Sequence, residues 1–188
     1  MSKLCQAAYY HLHIIRSISG CQTQHATELL VHILVISRFH YGNSLIYGLP
    51  NMLFDKLERV QNAAARVVVK ASRYDHVTPI LETLHELPVR YRIQYKIILK
   101  SFKASLLLAP SYHYDLLEFY QPSRTLPSSS ESLLVVHRAL LRQFGDRAFC
   151  ITAPNVWNDL PCSLRTCGSV YQLKRLFKTL KVRFTLEH

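Results

Sequence analysis

The sequence has few carboxylates, no long apolar run and no secretory signal. A membrane-spanning helix needs roughly 18 or more apolar residues in succession, and the most apolar stretch, residues 29–36, is short and interrupted by His32. The first ten residues lack the apolar region and small-residue cleavage site of a signal peptide. We therefore expect no membrane association, five reduced cysteines, and an intracellular protein, nuclear or cytoplasmic.

The motifs of common active sites are also missing. The sequence contains no glycine-rich phosphate loop, no Gly-x-Ser-x-Gly and no His-Glu-x-x-His. The five aspartates are dispersed, whereas a two-metal polymerase or nuclease needs clustered carboxylates. The cysteines and histidines lack the paired short spacings of a zinc site. We predict that the chain is not an enzyme and has no metal, no cofactor and no small-molecule substrate.

Positive charge is what the sequence has in excess. Its 188 residues include 23 Lys and Arg against 12 Asp and Glu, which gives a net charge of +11. An apolar content of 49% is too high for an intrinsically disordered chain. The composition therefore predicts a folded protein whose partner is a polyanion.

The spacing of apolar residues predicts a mainly α protein. Three helices, at 3–19, 23–39 and 53–70, form a bundle. A short helix capped by Thr78-Pro79, a longer helix at 88–107 and a last helix opened by a Ser169/Gln172 capping box follow. Residues 120–132 have the proline and serine content of a linker. Two β-prone runs, 133–136 and 148–152, predict at most a small hairpin.

Basic residues form stripes on three of these helices. Lys56, Arg59, Arg66 and Lys70 fall in one arc of the third helix, and the helices at 88–107 and at the C-terminus each have a basic side. These stripes predict contact with a phosphate backbone, independent of base sequence. The predicted nucleic-acid contacts are Arg66, Lys70, Arg92, Lys96, Lys100, Lys103, Lys174, Lys178 and Lys181. Tyr91, Tyr95 and Phe102 share one helix face, which favours a core position over base stacking.

Short blocks in a fixed order carry a family resemblance. They include residues 9–12 (YYHL), 43–50 (NSLIYGLP), 60–66 (VQNAAAR), 75–79 (DHVTP), 145–149 (GDRAF) and 157–161 (WNDLP). Together they resemble the region just after the polymerase core in reverse transcriptases of LINE-type (non-LTR) retrotransposons, of the jockey and chicken-repeat kind. The blocks extend over nearly the whole chain.

The resemblance implies a fold and a function. Residues 1–72 would be a helical thumb-like part and the rest the C-terminal extension of the family. The residue patterns divide that extension into a central helical part at 73–119, the linker at 120–132 and a small mixed part at 133–188, with a small hairpin and a final basic helix. In that family the endonuclease and the catalytic palm lie upstream. The chain is then expected to be a truncated RNA-directed DNA polymerase fragment without catalysis that binds RNA or an RNA/DNA duplex non-specifically.

A second interpretation stays open, in which the chain is a protein-docking structural remnant without an independent function. A large exposed apolar patch on the thumb-like part would favour it. Two departures from the family pattern bear on the local fold. Glu86 replaces the tryptophan of a His-Trp-Leu-Pro block, and residues 105–110 replace a His-Gly-Leu-Ala-Pro turn without glycine.

Overall fold

The protein is mainly helical, as the sequence predicts. A computed structural model describes residues 2–40, 46–48, 50–121, 132–138, 145 and 148–185. The helices are α1 (Ser2–Ile18), α2 (Gln24–Val31), α3 (Ser37–His40), α4 (Asn51–Val68), α5 (Val77–Thr83), α6 (Val89–Ser105), α7 (Ser111–Asp115), α8 (Phe149–Asn158), α9 (Cys162–Arg165) and α10 (Val170–Thr185). A 3-10 turn (Ser19–Cys21) follows α1, and a π-helical turn (His32–Ile36) joins α2 to α3.

The chain forms two compact units. The first contains residues 1–43 and 49–92, and the second contains 44–48 and 93–188. This division lies within α6, after the boundary at residue 72 that the family resemblance implies. The boundaries at 72, 119 and 132 stay predictions, and residues 122–131 of the linker lie outside the described part of the chain.

Helix α4 is the centre of the first unit, since α1, α2 and α5 all pack on it. Its buried residues Leu57, Val60 and Ala64 recur at three- and four-residue steps, which places them on one face. Leu12 and Ile15 of α1 meet this core. The predicted three-helix bundle is therefore present, with the second helix divided by the π-helical turn.

The start of α5 differs from the prediction. The N-cap is His76, with φ −63° and ψ 134°, and the helix begins at Val77, two residues before the predicted position. Thr78 is therefore not the cap, and Pro79 lies at the third helical position. Proline is tolerated there because the first four N–H groups of a helix have no partner within it.

Three helices end on left-handed residues that are not glycine. Lys70, His85 and Leu107 have φ angles of 54°, 53° and 55°. In each case the next residue donates its N–H across the helix end, as from Ala71 to the carbonyl oxygen of Arg66 at 2.9 Å. These paired bonds form the Schellman motif, which usually has glycine at this position. Leu107 thus makes the turn at 105–110 for which the sequence has no glycine.

The core of the second unit joins α6, α8, α9 and α10. The Phe102 ring stacks on Trp157 with 6.3 Å between ring centroids. Leu164 of α9 and Leu173 of α10 are fully buried. The interpretation of Phe102 as a core residue is confirmed. The Ser169 hydroxyl also accepts from the N–H of Gln172 at 3.2 Å, which is one half of the predicted capping box. The Gln172 side-chain oxygen accepts from the N–H of Gly168 at 3.2 Å and not from that of Ser169.

The expected β-hairpin is not present in the described residues. The run 148–152 is helical, because Ala148 caps α8 and buried Thr152, Ala153, Val156 and Trp157 recur at helical spacing. The run 133–136 contributes one isolated antiparallel bridge, between Phe119 and Leu134. The β-prone interpretation of 148–152 was wrong, because helical packing of its buried side overrides a local strand preference.

Two side chains of the WNDLP block hold residues 132–134 against α8. Trp157 is buried, and its indole N–H donates to the carbonyl oxygen of Ser132 at 2.8 Å. The Asn158 amide accepts from the N–H of Leu134 at 3.0 Å and donates to its carbonyl oxygen at 2.8 Å. Asn158 thereby satisfies both backbone groups of one residue, as a neighbouring strand would.

Candidate nucleic-acid interface

The basic residues of α4 lie on one side of the helix. Lys56, Arg59 and Lys70 are exposed, and Arg66 is half-buried. At 100° per residue the four directions fall within about 80° of one another. The structure therefore preserves, as a solvent-facing stripe, the arc that the sequence predicts. We call these four residues the α4 stripe.

The carboxylates of α4 are already paired. Arg90 contacts Asp55 at 3.1 Å and Glu58 at 3.3 Å, and its guanidinium lies 5.4 Å from the centre of the Phe54 ring. These pairs are partly exposed, so each contributes little stability. Their consequence is electrostatic, because Arg90 holds both carboxylates and its single positive charge offsets half of their combined negative charge.

Two members of the α4 stripe also support nearby backbone. The Arg66 guanidinium donates from Nε and Nη2 to the carbonyl oxygen of Asp75, at 3.3 and 2.9 Å. The Lys70 ammonium lies 3.5 Å from the carbonyl oxygen of Gln22. Arg66 therefore orders the turn before α5, while Lys70 and its charge stay exposed to solvent.

Helix α1 adds residues beside the α4 stripe that the sequence interpretation missed. Burial raises the pKa of the Tyr9 hydroxyl, Cys5 adds to that rise, and the charge of nearby Arg59 opposes it. Arg16 is exposed and lies two turns after Tyr9 on the same side of α1. Linear spacing gives no sign of this neighbourhood, because α1 and α4 are distant in sequence.

Arg92 occupies a different environment from the one the basic stripe of α6 predicts. Its side chain is 14% exposed, and Nη2 contacts the Glu86 carboxylate at 3.2 Å and the Leu87 carbonyl oxygen at 2.9 Å. The same carboxylate accepts from Gln61 at 3.1 Å and lies 3.4 Å from His32. The Arg92 guanidinium is thus part of an internal network centred on Glu86.

The predicted contacts of the second unit lie on α6 and α10. Lys96 is half-buried, whereas Lys100, Lys103 and Lys174 are exposed. The side chains of Lys178 and Lys181 lie outside the described part of α10. The two helices meet through the Tyr95 and Phe177 rings, whose centroids are 4.8 Å apart. Burial raises the pKa of the Tyr95 hydroxyl.

Other chemistry has little support among the described residues. They contain no group of three or more His, Cys, Asp or Glu side chains placed to bind a metal ion. None of their helices is long and apolar enough to cross a membrane.

A cavity of about 560 Å³ adjoins Cys167, whose thiol donates to the Ser163 carbonyl oxygen at 3.2 Å. Burial raises the pKa of this thiol, which disfavours the nucleophilic thiolate.

No family model, curated protein or solved structure matches this chain. The candidate interface therefore depends on its own geometry. Its best-defined part is the α4 stripe with Tyr9 and Arg16 beside it, in the first unit. Lys96, Lys100 and Lys103 of α6 and Lys174 of α10 lie in the second unit.

Proposed function

We propose that this chain binds RNA or an RNA/DNA duplex through its phosphate backbone, without reading the bases. The observation that carries the proposal is the segregation of charge on α4. Lys56, Arg59 and Lys70 reach solvent on one side, while Asp55 and Glu58 are held by Arg90. Clustered cations on one helix face form the electrostatic footprint of a phosphate-binding surface.

We further propose that the chain corresponds to the thumb and downstream extension of a LINE-type reverse transcriptase. Leu107 supports this proposal. When Leu108-Ala109-Pro110 is aligned with the Leu-Ala-Pro of the family turn, the family's glycine falls on Leu107. That residue has a φ of 55°, in the region that favours glycine.

The role of this chain in such a protein would be to hold the duplex. In the family the reacting carboxylates belong to the palm, upstream of the part that this chain resembles, so no residue here is assigned a catalytic role. A helical thumb contributes binding through cations placed along the phosphate backbone. Such binding weakens steeply with salt, because each phosphate that a cation neutralises releases a counterion.

Titration of a fluorescent RNA/DNA duplex at several salt concentrations tests the proposal. The test variant is the double substitution Lys56→Gln with Arg59→Gln. The control is Lys3→Gln with Arg38→Gln, which removes the same charge from exposed positions on α1 and α3. Affinity decreases as salt rises, and a plot of log affinity against log salt has a negative slope. This slope should become less steep by about 0.9, the value for B-form DNA, for each phosphate that the test variant no longer neutralises.

The control pair should leave this slope nearly unchanged. Equal reductions in both variants would mean that net charge, and not the α4 stripe, drives binding. If the unmodified chain shows no measurable affinity at low salt, the proposal fails.

A further inference from the structure

Helices α1 and α4 pack side by side and run in the same direction. Burial raises the pKa of the Tyr9 hydroxyl against the opposing charge of Arg59, so Arg59 of α4 lies beside Tyr9 of α1. Farther along both helices, the Lys70 ammonium lies 3.5 Å from the carbonyl oxygen of Gln22, which follows α1 and its 3-10 turn. Later residues of α4 therefore lie beside later residues of α1.

Positive charge from both helices borders Tyr9. Arg16 lies seven residues after Tyr9 on the same side of α1, and Arg66 lies seven residues after Arg59 on α4. Seven residues span about 10 Å of helix, so Arg16 and Arg66 are about level. Arg16 is exposed, and α1 contains no Asp or Glu to offset it. We call the surface formed by Tyr9, Arg16 and Arg59 the α1–α4 seam.

Tyr9 brings an accessible aromatic ring to this seam, because 45% of its surface is exposed. The rings of Tyr95 and Phe102 on α6 are packed against other rings instead. Tyr10 is also exposed, but it points about 100° away from Tyr9 around α1. Tyr9 is therefore the tyrosine of α1 that lies between the arginines of the seam.

An exposed ring between arginines suits an unpaired nucleotide. Every base has a π-face, so an aromatic side chain stacks on it whatever the sequence, while nearby cations hold the strand's phosphates. Bases within a helical duplex are stacked on one another, whereas the bases of a single strand can turn outward onto a protein ring. The stacking contact therefore requires a strand that is not base-paired.

We infer that the α1–α4 seam binds an unpaired stretch of nucleic acid beside the duplex, with a base stacked on Tyr9 and phosphates on Arg59 and Arg16. The inference rests on the proposed function, since Arg59 belongs both to the seam and to the α4 stripe that holds the duplex. It adds a contact that a fully paired duplex cannot make.

The test titrates the full chain with three ligands made from one RNA/DNA duplex. The first is the blunt duplex, and the second carries an unpaired overhang of about six nucleotides. The third carries the same overhang without its bases. Overhangs at the 5′ end and at the 3′ end are tested separately. The second and third ligands have equal numbers of phosphates, so the ratio of their affinities isolates the contribution of the bases.

We expect the overhang with bases to bind about tenfold more tightly than the abasic overhang, in at least one of the two polarities. Tyr9→Ala should abolish this difference, whereas Tyr9→Phe keeps the ring and should preserve it. Tyr10→Ala is the matched control, because it removes a neighbouring exposed tyrosine and should change the ratio by less than about twofold. Circular dichroism should show these variants folded, since both tyrosines are partly exposed.

Arg16→Gln tests the phosphate contact of the seam. For the duplex with the overhang, the slope of log affinity against log salt should become less steep by about 0.7, the value for a single-strand phosphate. Lys3→Gln is the control, since it removes an exposed cation near the start of α1 and should leave the slope nearly unchanged.

Equal affinity for the two overhangs in both polarities would overturn the inference. Loss of the difference in Tyr9→Phe would also overturn it, because the hydroxyl and not the ring would then make the contact. If the overhangs bind equally while Lys56→Gln with Arg59→Gln still weakens duplex binding, this inference falls and the proposed function stands. A difference that depends on Tyr9, without measurable affinity for the blunt duplex, would support the contact with the unpaired strand and refute duplex binding.

Discussion

The Glu86 network leads to a sharp prediction about stability. Glu86 departs from the family pattern, where an aromatic residue stands, yet its carboxylate contacts Arg92, Gln61 and His32 within 3.4 Å. The perturbation is Glu86→Ala. This substitution removes the carboxylate that pairs with the Arg92 guanidinium. Both side chains are only 14% exposed, so the pair is largely shielded from solvent.

The magnitude follows from that burial. Removing one partner of a buried ion pair typically costs about 3–5 kcal/mol, because the remaining charge is left uncompensated. Arg92 keeps its hydrogen bond to the Leu87 carbonyl oxygen at 2.9 Å, which limits the destabilisation. We therefore expect the free energy of unfolding to fall by about 3 kcal/mol, the lower end of that range.

Urea unfolding followed by circular dichroism measures the change. Glu82→Ala is the matched control, since it removes an exposed carboxylate of α5 and should change stability by less than about 0.5 kcal/mol. In a double-mutant cycle, Glu86→Ala with Arg92→Ala should destabilise by about 2 kcal/mol less than the two single effects added together. A Glu86→Ala effect as small as that of the control, or strict additivity in the cycle, would refute the assignment of Glu86 as the network's centre.

Three further predictions concern single side chains. Leu107→Gly should raise the free energy of unfolding by about 1 kcal/mol, because the left-handed backbone costs a leucine about 1–2 kcal/mol and this side chain is 72% exposed. The control, Leu106→Gly at the adjacent position, should not stabilise the protein. Equal effects of the two substitutions in thermal melts would contradict the argument. Asn158→Ala should cost about 2 kcal/mol in urea unfolding, since it removes both hydrogen bonds to Leu134; a neutral result would mean that α8 holds this segment by other contacts. Because burial raises the pKa of Tyr95 above 10.0, the unfolded chain ionises first, and stability is lost as pH rises through the folded-state pKa. Tyr95→Phe should lessen this alkaline loss, which unfolding at about pH 9 and about pH 11 tests, and an unchanged loss would exclude Tyr95 as its source.

The non-glycine helix ends illustrate how backbone hydrogen bonding overrides the preference of a single residue. At Lys70 and His85, as at Leu107, the residue's own side chain disfavours a positive φ. The turn forms because two backbone hydrogen bonds close it, one donated by the left-handed residue and one by the residue after it. Spacing alone predicts that the helix stops near these residues, but not which conformation stops it.

The fold class and the basic stripe of α4 follow from the sequence by itself. Both depend on helical periodicity, which places residues three and four apart on one face wherever the helix lies. The bond between the Ser169 hydroxyl and the Gln172 N–H is likewise local, so the sequence predicts it correctly, whereas the Gln172 side chain bonds Gly168 and not Ser169.

The tertiary structure alone decided which charges reach solvent and which are paired. Arg92 belongs to a basic stripe in sequence, yet it turns to Glu86, while Lys56 and Arg59 stay at the surface. The run 148–152 is helical because its buried side packs in the core of the second unit. Periodicity assigns a residue to a face of its own helix. Only the packing of other elements determines whether that face meets a partner or water.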